Sequence, residues 1–473
     1  MTSERGKAWQ PVIVGAGPAG VRAAETLVKA GLRPVVLDEG FKAGGQIYRQ
    51  PPVPDGREPE DLYGSEAEKA CALHETFERI RPNIDYRPRT LVWNVIGDSV
   101  DYYDESADVA GRLQASHLIL ATGATDRTLP LPGWTLPGVY SLGGAQISLK
   151  AHHSLIGQEV VFVGTGPLLY LVSLQYAKAG ADVKAVVETA SWSNQLRHAS
   201  GLAHLPSAAV RGVGFMLSLR RMGVPIYRGA HAIRFEGESD CGLTAVSFES
   251  GGRSHRLSCI AAAMGFGVRS EWQLAELAGA QLSWSDIQQQ WVPDLTDHVR
   301  ASVDGLYLAG DGAGVCGADA AEVRGELAGF ALLQDLGHSV DASRRQVLEK
   351  SLKKQWRARA ALDRMYPVPM HLLDELADDT LVCRCEAIAA GEIRHVLVRP
   401  GAEDVNRAKA FSRAGMGRCQ GRMCALNVQA IVERAKEQGP QAIGWQRTQP
   451  PIKPVPMAAM ADAYVPDPEG TRE

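Results

Sequence analysis

From about residue 10 to residue 335, short β-branched runs alternate with Ala- and Leu-rich stretches of helical length. That alternation predicts an α/β fold, a parallel sheet whose strands are joined by crossover helices. The first run, Val12–Val14, passes through glycines into the helix-like VRAAETLVKAG, and EVVFVGTGPLLYL repeats the same strand–turn–helix order. Such a duplication predicts two dinucleotide-binding (Rossmann-like) domains. We place the first at 1–145 and 290–335, as a discontinuous unit, and the second at 150–285. Residues 336–377 read as a helical linker in which 343–365 form a basic, Pro-free helix with a solvated face. A cysteine-rich unit follows at 378–437. The last segment, 438–473, contains Pro440, Pro450, Pro451, Pro454, Pro456, Pro466 and Pro468. It reads as an extended arm, with little reason to order alone and suited to wrapping a neighbouring protein.

Composition narrows the class. A chain of 473 residues is too long for one compact core, which agrees with several domains. The formal net charge is −4 and no long block carries one sign, so electrostatics gives nucleic-acid binding no support. The polar start MTSERGKAWQ leaves no room for a signal peptide, and no run reaches the roughly 18–20 apolar residues of a membrane helix. Cytoplasmic residence is expected, with peripheral membrane association as a variant. Of the eight cysteines, Cys71, Cys241, Cys259 and Cys316 are scattered, while Cys383, Cys385, Cys419 and Cys424 gather in one region. In a reducing compartment such a cluster points to metal rather than disulfides.

Gly15, Gly17 and Gly20 form GxGxxG directly after a strand and before a helix, with Pro18 and Ala19 inside the motif. The first glycine permits the tight turn, the second lets the backbone approach a pyrophosphate, and the third lets helix and strand pack closely. The helix N-terminus offers free N–H groups to phosphate oxygens. The next strand, PVVLDE, ends in Asp38 and Glu39, about twenty residues past the last glycine, where a carboxylate holds a ribose hydroxyl. Asp38 has the usual spacing. The pair Gly44-Gly45 with Gln46, Thr122-Gly123 at the end of HLILATGA, and Gly310-Asp311 in GLYLAGDGAG resemble motifs of the two-dinucleotide-domain flavoproteins. That resemblance implies FAD, with Asp311 near its ribityl-pyrophosphate. The disulfide-reductase subclass is set aside, because GGQIYRQPP contains no cysteine and the second unit holds only the separated Cys241 and Cys259.

The second unit carries Gly164 and Gly166, but Leu169 stands at the third glycine position, and Glu188 lies near the end of the following strand. A leucine there pushes the helix off the strand or crowds the phosphate turn. NAD(P)H binding is thereby disfavoured, with another nucleotide or a purely structural domain left open. The cysteine unit reads C-x-C, 33 intervening residues, then C-x4-C. Four thiolates suit a [2Fe-2S] cluster. Zinc also takes four cysteines, yet C-x-C is shorter than the usual zinc knuckle. Arg384, Arg418 and Arg422 sit between or beside the ligands and offset the charge of an iron–sulfur centre, which favours the cluster.

Taken together, RAAETLVKAGLRPVVLDE, GGQIYRQP, ATGATDRTLPLPGWTLPGVYSLGGAQ, GTGPLLYLVSLQYAKAGADV, CRCE and GRCQGRMC resemble the A (alpha) subunits of bacterial opine oxidases. The wider family includes hydroxyproline dehydrogenase and hydrogen cyanide synthase subunits. The cysteine unit itself is similar to the bacterioferritin-associated-ferredoxin type of [2Fe-2S] domain, which implies a small helical domain. This resemblance implies an FAD- and [2Fe-2S]-containing electron-transfer subunit of a complex for oxidative cleavage of octopine or nopaline to arginine and a 2-oxo acid. It implies a D-amino-acid-oxidase-like partner that oxidises the substrate, and with it a further small subunit and a downstream electron acceptor. A second nucleotide or FMN at an interface between subunits is implied as well. The residues agree in one respect: no acid–base pair suited to amine oxidation stands out, and His152-His153 reads as a surface element. The competing reading is a self-sufficient NAD(P)H-dependent flavoprotein reductase.

Overall fold

Runs of β-branched residues form strands because their stiff side chains pack on a pleated surface, and here each run ends in glycine, where the chain turns into a helix. A computed structural model, describing residues 10–53, 56–204 and 206–463, shows where these strands go. In the first sheet Asp85–Arg87, Val35–Leu37, Gln10–Val14, Val109–Leu120 and Leu306–Leu308 lie side by side and parallel. The early half of Val109–Leu120 also pairs antiparallel with Ser99–Asp104, and that strand pairs with Thr90–Ile96. The second sheet has the order Ile226–Arg228, Asp182–Glu188, Glu159–Gly164, Ala261–Gly265 and Val139–Ser141, again all parallel. An antiparallel sheet of His231–Glu238, Gly242–Ser250 and Arg253–Ser258 adjoins it.

Two boundaries differ from expectation. Val139–Ser141, expected in the first unit, pairs in the second sheet. Val268–Ser270, expected in the second unit, pairs with Ala124–Asp126, and Leu274, Ala275 and Ala280 enter the core of the first sheet beside Val12 and Leu308. Crossover between domains is a matter of pairing partners, and nothing local in these short runs specifies the partner.

The basic helix spans Ala342–Met365 and is capped by Asp341, whose side chain accepts from the Arg344 N–H. It is more than a solvated bridge. Leu348, Leu352, Ala358, Ala361 and Met365 are buried at helical spacing, and Leu348 and Leu352 join the core around helices Pro18–Lys29 and Ala318–Asp335. Trp356 lies under the Arg324 guanidinium at 5.0 Å. Five buried positions among many charges give too faint a stripe for periodicity alone.

The cysteine unit has its own core, in which Val382, Ile393, Val405, Val428 and Ile443 are buried. Its helices are Ala390–Leu397, Val405–Ser412 and Ala425–Lys436. The Pro-rich arm departs from expectation: through Ala463 it packs on its own chain, while Pro466 and Pro468 lie outside the described residues. Trp445 Nε1 donates to Glu276 Oε1 at 2.6 Å, and the Thr448 N–H donates to Glu276 Oε2 at 2.9 Å. Ile452 is 2% exposed within the core of the first sheet, and its N–H donates to the Trp93 carbonyl at 3.1 Å. Hydrogen bonds and buried apolar side chains, Ile443 and Ile452 among them, hold an arm that has only short helices of its own. Ile452→Ala should therefore cost about 2–4 kcal/mol, as large-to-small core changes do. A denaturant titration followed by intrinsic fluorescence measures it, and a loss under about 0.5 kcal/mol would show the anchor unimportant.

Candidate cofactor sites

The turn after Gln10–Val14 is built by contact between backbones. A Cβ on Gly20 would fall 1.8 Å from the Gly15 carbonyl oxygen, and Gly15 itself holds φ +103° with the Ala121 carbonyl oxygen 2.4 Å from its would-be Cβ. Neither position accepts a side chain. Gly17 is different: its φ is −74°, and an added Cβ would meet the Gly45 Cα at an ordinary 3.6 Å. The protein leaves room in front of Gly17, as close approach of a pyrophosphate requires. Pro18 opens the helix, where its missing N–H costs nothing, and Ala19 is buried against the approach of Gly310 and Gly325.

The other predicted residues leave the same sheet edge. Val14 is in register with Leu37 and Leu120, and Leu120 with Leu308, so the turns after all four strands stand together. Asp38 is buried, and its Oδ2 has no partner among protein atoms. Burial pushes its carboxyl up to about 6. A buried acceptor awaiting a donor fits a ribose hydroxyl. Glu39 is instead ion-paired with Lys453 of the arm. The Gly44 N–H donates to the Ala16 carbonyl at 2.9 Å and so sets Gly45 beside Gly17, while Gln46 Oε1 accepts from Arg49 at 2.7 Å. Thr122 Oγ1 donates to the Glu271 carbonyl at 2.5 Å, and the Gly123 carbonyl accepts from the Glu271 N–H at 3.0 Å. Asp311 Oδ1 accepts from the N–H groups of Cys316 and Gly317 at 2.8 and 2.9 Å, and Arg324 donates to the Gly310 carbonyl at 3.0 Å.

The second turn is arranged differently. Glu188 is fully buried, and its carboxylate accepts from the Gly166 N–H at 3.2 Å and the Ala190 N–H at 2.9 Å. A side chain of the protein thus pairs with the N–H of the second glycine of this turn. Gly164 approaches the Gly265 backbone, Leu169 is buried in the core of the second sheet, and Tyr366 at the end of the long helix lies over Gly166. Leu169 fills the helix–sheet interface rather than the turn. His152 and His153 are exposed.

The four clustered thiols form two pairs. Cys383 and Cys424 share a hydrogen bond, as do Cys385 and Cys419, and the Cys424 thiol lies within electrostatic reach of the other three. Among the described residues no group of three or more His, Cys, Asp or Glu side chains is placed to hold a metal ion. Hydrogen bonding from Cys424 and from the backbone N–H of Gly415, Glu386 and Cys385 brings the Cys383 thiol down to about 6. Gly417 lies where a Cβ would fall 2.3 Å from the Cys385 Cβ, so the loop closes tightly over that thiol. Arg384 and Arg418 are exposed, whereas the Arg422 side chain is only 13% exposed and is paired with Glu271 at 2.9 Å. Arg269 and Glu271 escaped the sequence reading. Their signal was slight, two charges two residues apart at the end of the apolar run CIAAAMGFGV.

Two parallel sheets, each with a glycine turn at its strand ends, define a two-dinucleotide-domain oxidoreductase fold. The chain belongs to the pyridine nucleotide-disulphide oxidoreductase family, whose model matches residues 9–334, and within it to the group formed by the A subunits of opine oxidases and their relatives. A sarcosine oxidase A3 domain model matches residues 380–463, so the cysteine unit and the arm fall within one domain model. The chain is 36% identical to the A subunit of opine oxidase from Rhizobium meliloti, over 95% of this chain and 86% of that one. It is 31% identical to hydrogen cyanide synthase subunit HcnB of Pseudomonas aeruginosa, over 95% and 98%. In structure it is similar to L-proline dehydrogenase from P. horikoshii, with a TM-score of 0.69 and 20% identity over 96% of this chain and 79% of that one, a likeness of fold. No helix among the described residues is long and apolar enough to cross a membrane.

The buried Glu188 gives a test of the closed second turn. Its carboxyl is pushed up to about 7 by burial, so between about pH 4.5 and 7 the folded state binds more protons than the unfolded state and stability falls as pH rises. Glu188→Gln removes this slope. Relative to wild type, the variant should gain thermal stability steadily from pH 4.5 to 7 and level off above it. Parallel Tm curves for the two proteins would mean that Glu188 titrates as a solvated acid.

Proposed function

We propose that this chain is an electron-transfer subunit of a hetero-oligomeric oxidoreductase, binding FAD at the first glycine turn and a [2Fe-2S] cluster on Cys383, Cys385, Cys419 and Cys424. One juxtaposition carries the reading: the loop between Cys419 and Cys424 is hydrogen-bonded to segments that adjoin Thr122-Gly123. Thr128 Oγ1 donates to the Met423 carbonyl at 3.0 Å, Gln273 Nε2 to the Gln420 carbonyl at 2.9 Å, and Arg269 Nε to the Arg422 carbonyl at 3.0 Å. The flavin supplies hydride-type chemistry and the cluster single-electron transfer, and having both in one chain joins the two.

The protein's own part is binding and exclusion. Gly17 and the helix N-terminus receive the pyrophosphate, Asp38 takes a ribose hydroxyl, and Asp311 and Gly310 line the ribityl side. Asp38 is held back from solvent, so a hydroxyl donor both satisfies its free oxygen and favours its ionised form. Cys383, with a hydrogen bond from Cys424 and backbone N–H groups aimed at it, is disposed to bind as a thiolate, whereas burial raises the Cys419 thiol and the hydrogen bond to Cys383 raises Cys424. Likeness to the A subunits of opine oxidases and to a subunit of hydrogen cyanide synthase supports a role within a multi-subunit oxidase. In our reading a D-amino-acid-oxidase-like partner oxidises the substrate C–N bond, with an opine as first candidate and hydroxyproline or glycine as the alternatives. We read the second dinucleotide fold as structural, because Glu188 and Tyr366 attend its turn. The reading as a self-sufficient NAD(P)H reductase needs that turn open.

Gly17→Val should yield a folded protein with FAD content reduced at least tenfold and iron retained, and Cys385→Ser the converse, iron lost and FAD retained. Absorbance spectra with iron analysis score both. A fully flavinylated Gly17→Val protein, or zinc in place of iron in anaerobically purified wild type, would refute the respective site.

Partnership is tested by activity and by reductant. The isolated chain should not oxidise octopine, nopaline or hydroxyproline with an artificial acceptor, and co-expression with the partner should restore oxidation. Rapid, saturable bleaching of the flavin by NADH in stopped flow would overturn the electron-transfer reading in favour of the reductase.

A further inference from the structure

Glu271 touches both candidate sites. Its backbone is tied to Thr122 and Gly123, and its carboxylate holds Arg422, which lies between Cys419 and Cys424. Arg269 donates to the Arg422 carbonyl, and its guanidinium lies within electrostatic reach of the Cys419 and Cys424 thiols. Arg269 and Glu271 are less than 10% exposed. Three polar atoms of this group are buried without a protein partner: Arg269 Nη2, Arg422 Nη2 and Glu271 Oε1. The two orphaned guanidinium donors need an acceptor, and the carboxylate oxygen a donor. Two guanidinium groups against one carboxylate also leave a surplus positive charge inside the protein, beside four thiols.

We propose that Arg269, Arg422 and Glu271 form a charged triad, largely shut off from solvent, that sets the reduction potential of the cluster held by the four cysteines, and that Glu271 fixes this triad to the first dinucleotide site. The inference rests on the [2Fe-2S] reading above. An oxidised cluster with four thiolates carries −2, and uptake of one electron makes it −3. A buried guanidinium stabilises the more negative form, so the arginines raise the potential. The Glu271 carboxylate opposes them. At an effective dielectric of about 20, a unit charge roughly 10 Å away changes such an equilibrium by about tenfold.

Opposite signs separate this electrostatic role from a structural one. In a dye-mediated titration of the holoprotein with dithionite, monitored by electron paramagnetic resonance, Arg269→Met should lower the reduced-to-oxidised ratio at fixed potential by about tenfold, or about 59 mV for a one-electron couple. Glu271→Gln, nearly isosteric, should raise it by a similar factor. Arg269→Lys keeps the charge and should stay within about threefold of wild type; Glu271→Gln keeps the test decisive if Arg269→Met fails to fold. Iron-containing variants with unchanged potentials, or with shifts of the same sign, would overturn the triad and leave the cluster standing. Wild type lacking iron would overturn the cluster assignment and the triad with it.

Discussion

The fold depends on how closely one helix is allowed to sit. Pro18–Lys29 rests on its strand because Gly20 lacks a Cβ that would fall 1.8 Å from the Gly15 carbonyl oxygen. On its other side it receives Ala318–Asp335 because Gly325 lacks one that would fall 2.1 Å from the Ala19 carbonyl oxygen. Backbone therefore meets backbone on two faces of the helix. Its N-terminus is held against the strand ends, and the loops carrying Thr122-Gly123 and Gly310-Asp311 close around it. A methyl group at either glycine would move every group on that edge at once, because packed interiors lack the free volume to absorb it.

A second level of order is electrostatic. The cysteine unit has a core of its own, yet its loop from Cys419 to Cys424 is fastened to the dinucleotide domain by hydrogen bonds and by the pair of Arg422 with Glu271. A buried ion pair adds little net stability, since desolvation offsets much of the attraction. It does specify a geometry, because neither charge tolerates losing the other. The arm adds Ile452 and Trp445 as further attachment points, and Lys453 ties it to Glu39 at the strand edge.

Much of the site was legible because glycine spacing and strand-end residues are local signals. Gly15, Gly17, Gly20 and Asp38 follow from one strand–turn–helix unit, and C-x-C with C-x4-C marks four thiols without any knowledge of the fold. What was not legible depends on pairing at a distance. Val139–Ser141 belongs to the second sheet because of Ala261–Gly265, more than a hundred residues later. Glu271 acquires its place only when Val268–Ser270 lies against Ala124–Asp126. The arm read as extended because prolines suppress regular elements, while its order comes from side chains meeting distant surfaces.

The second glycine turn has a consequence for ligand competition. Glu188 is covalently part of the chain whose turn it occupies, so its effective concentration there is fixed by geometry and does not vary with the cell's nucleotide pool. A dissolved ligand would have to displace a tethered carboxylate to reach the same N–H group. Such an internal occupant satisfies the polar turn of this fold from within the chain.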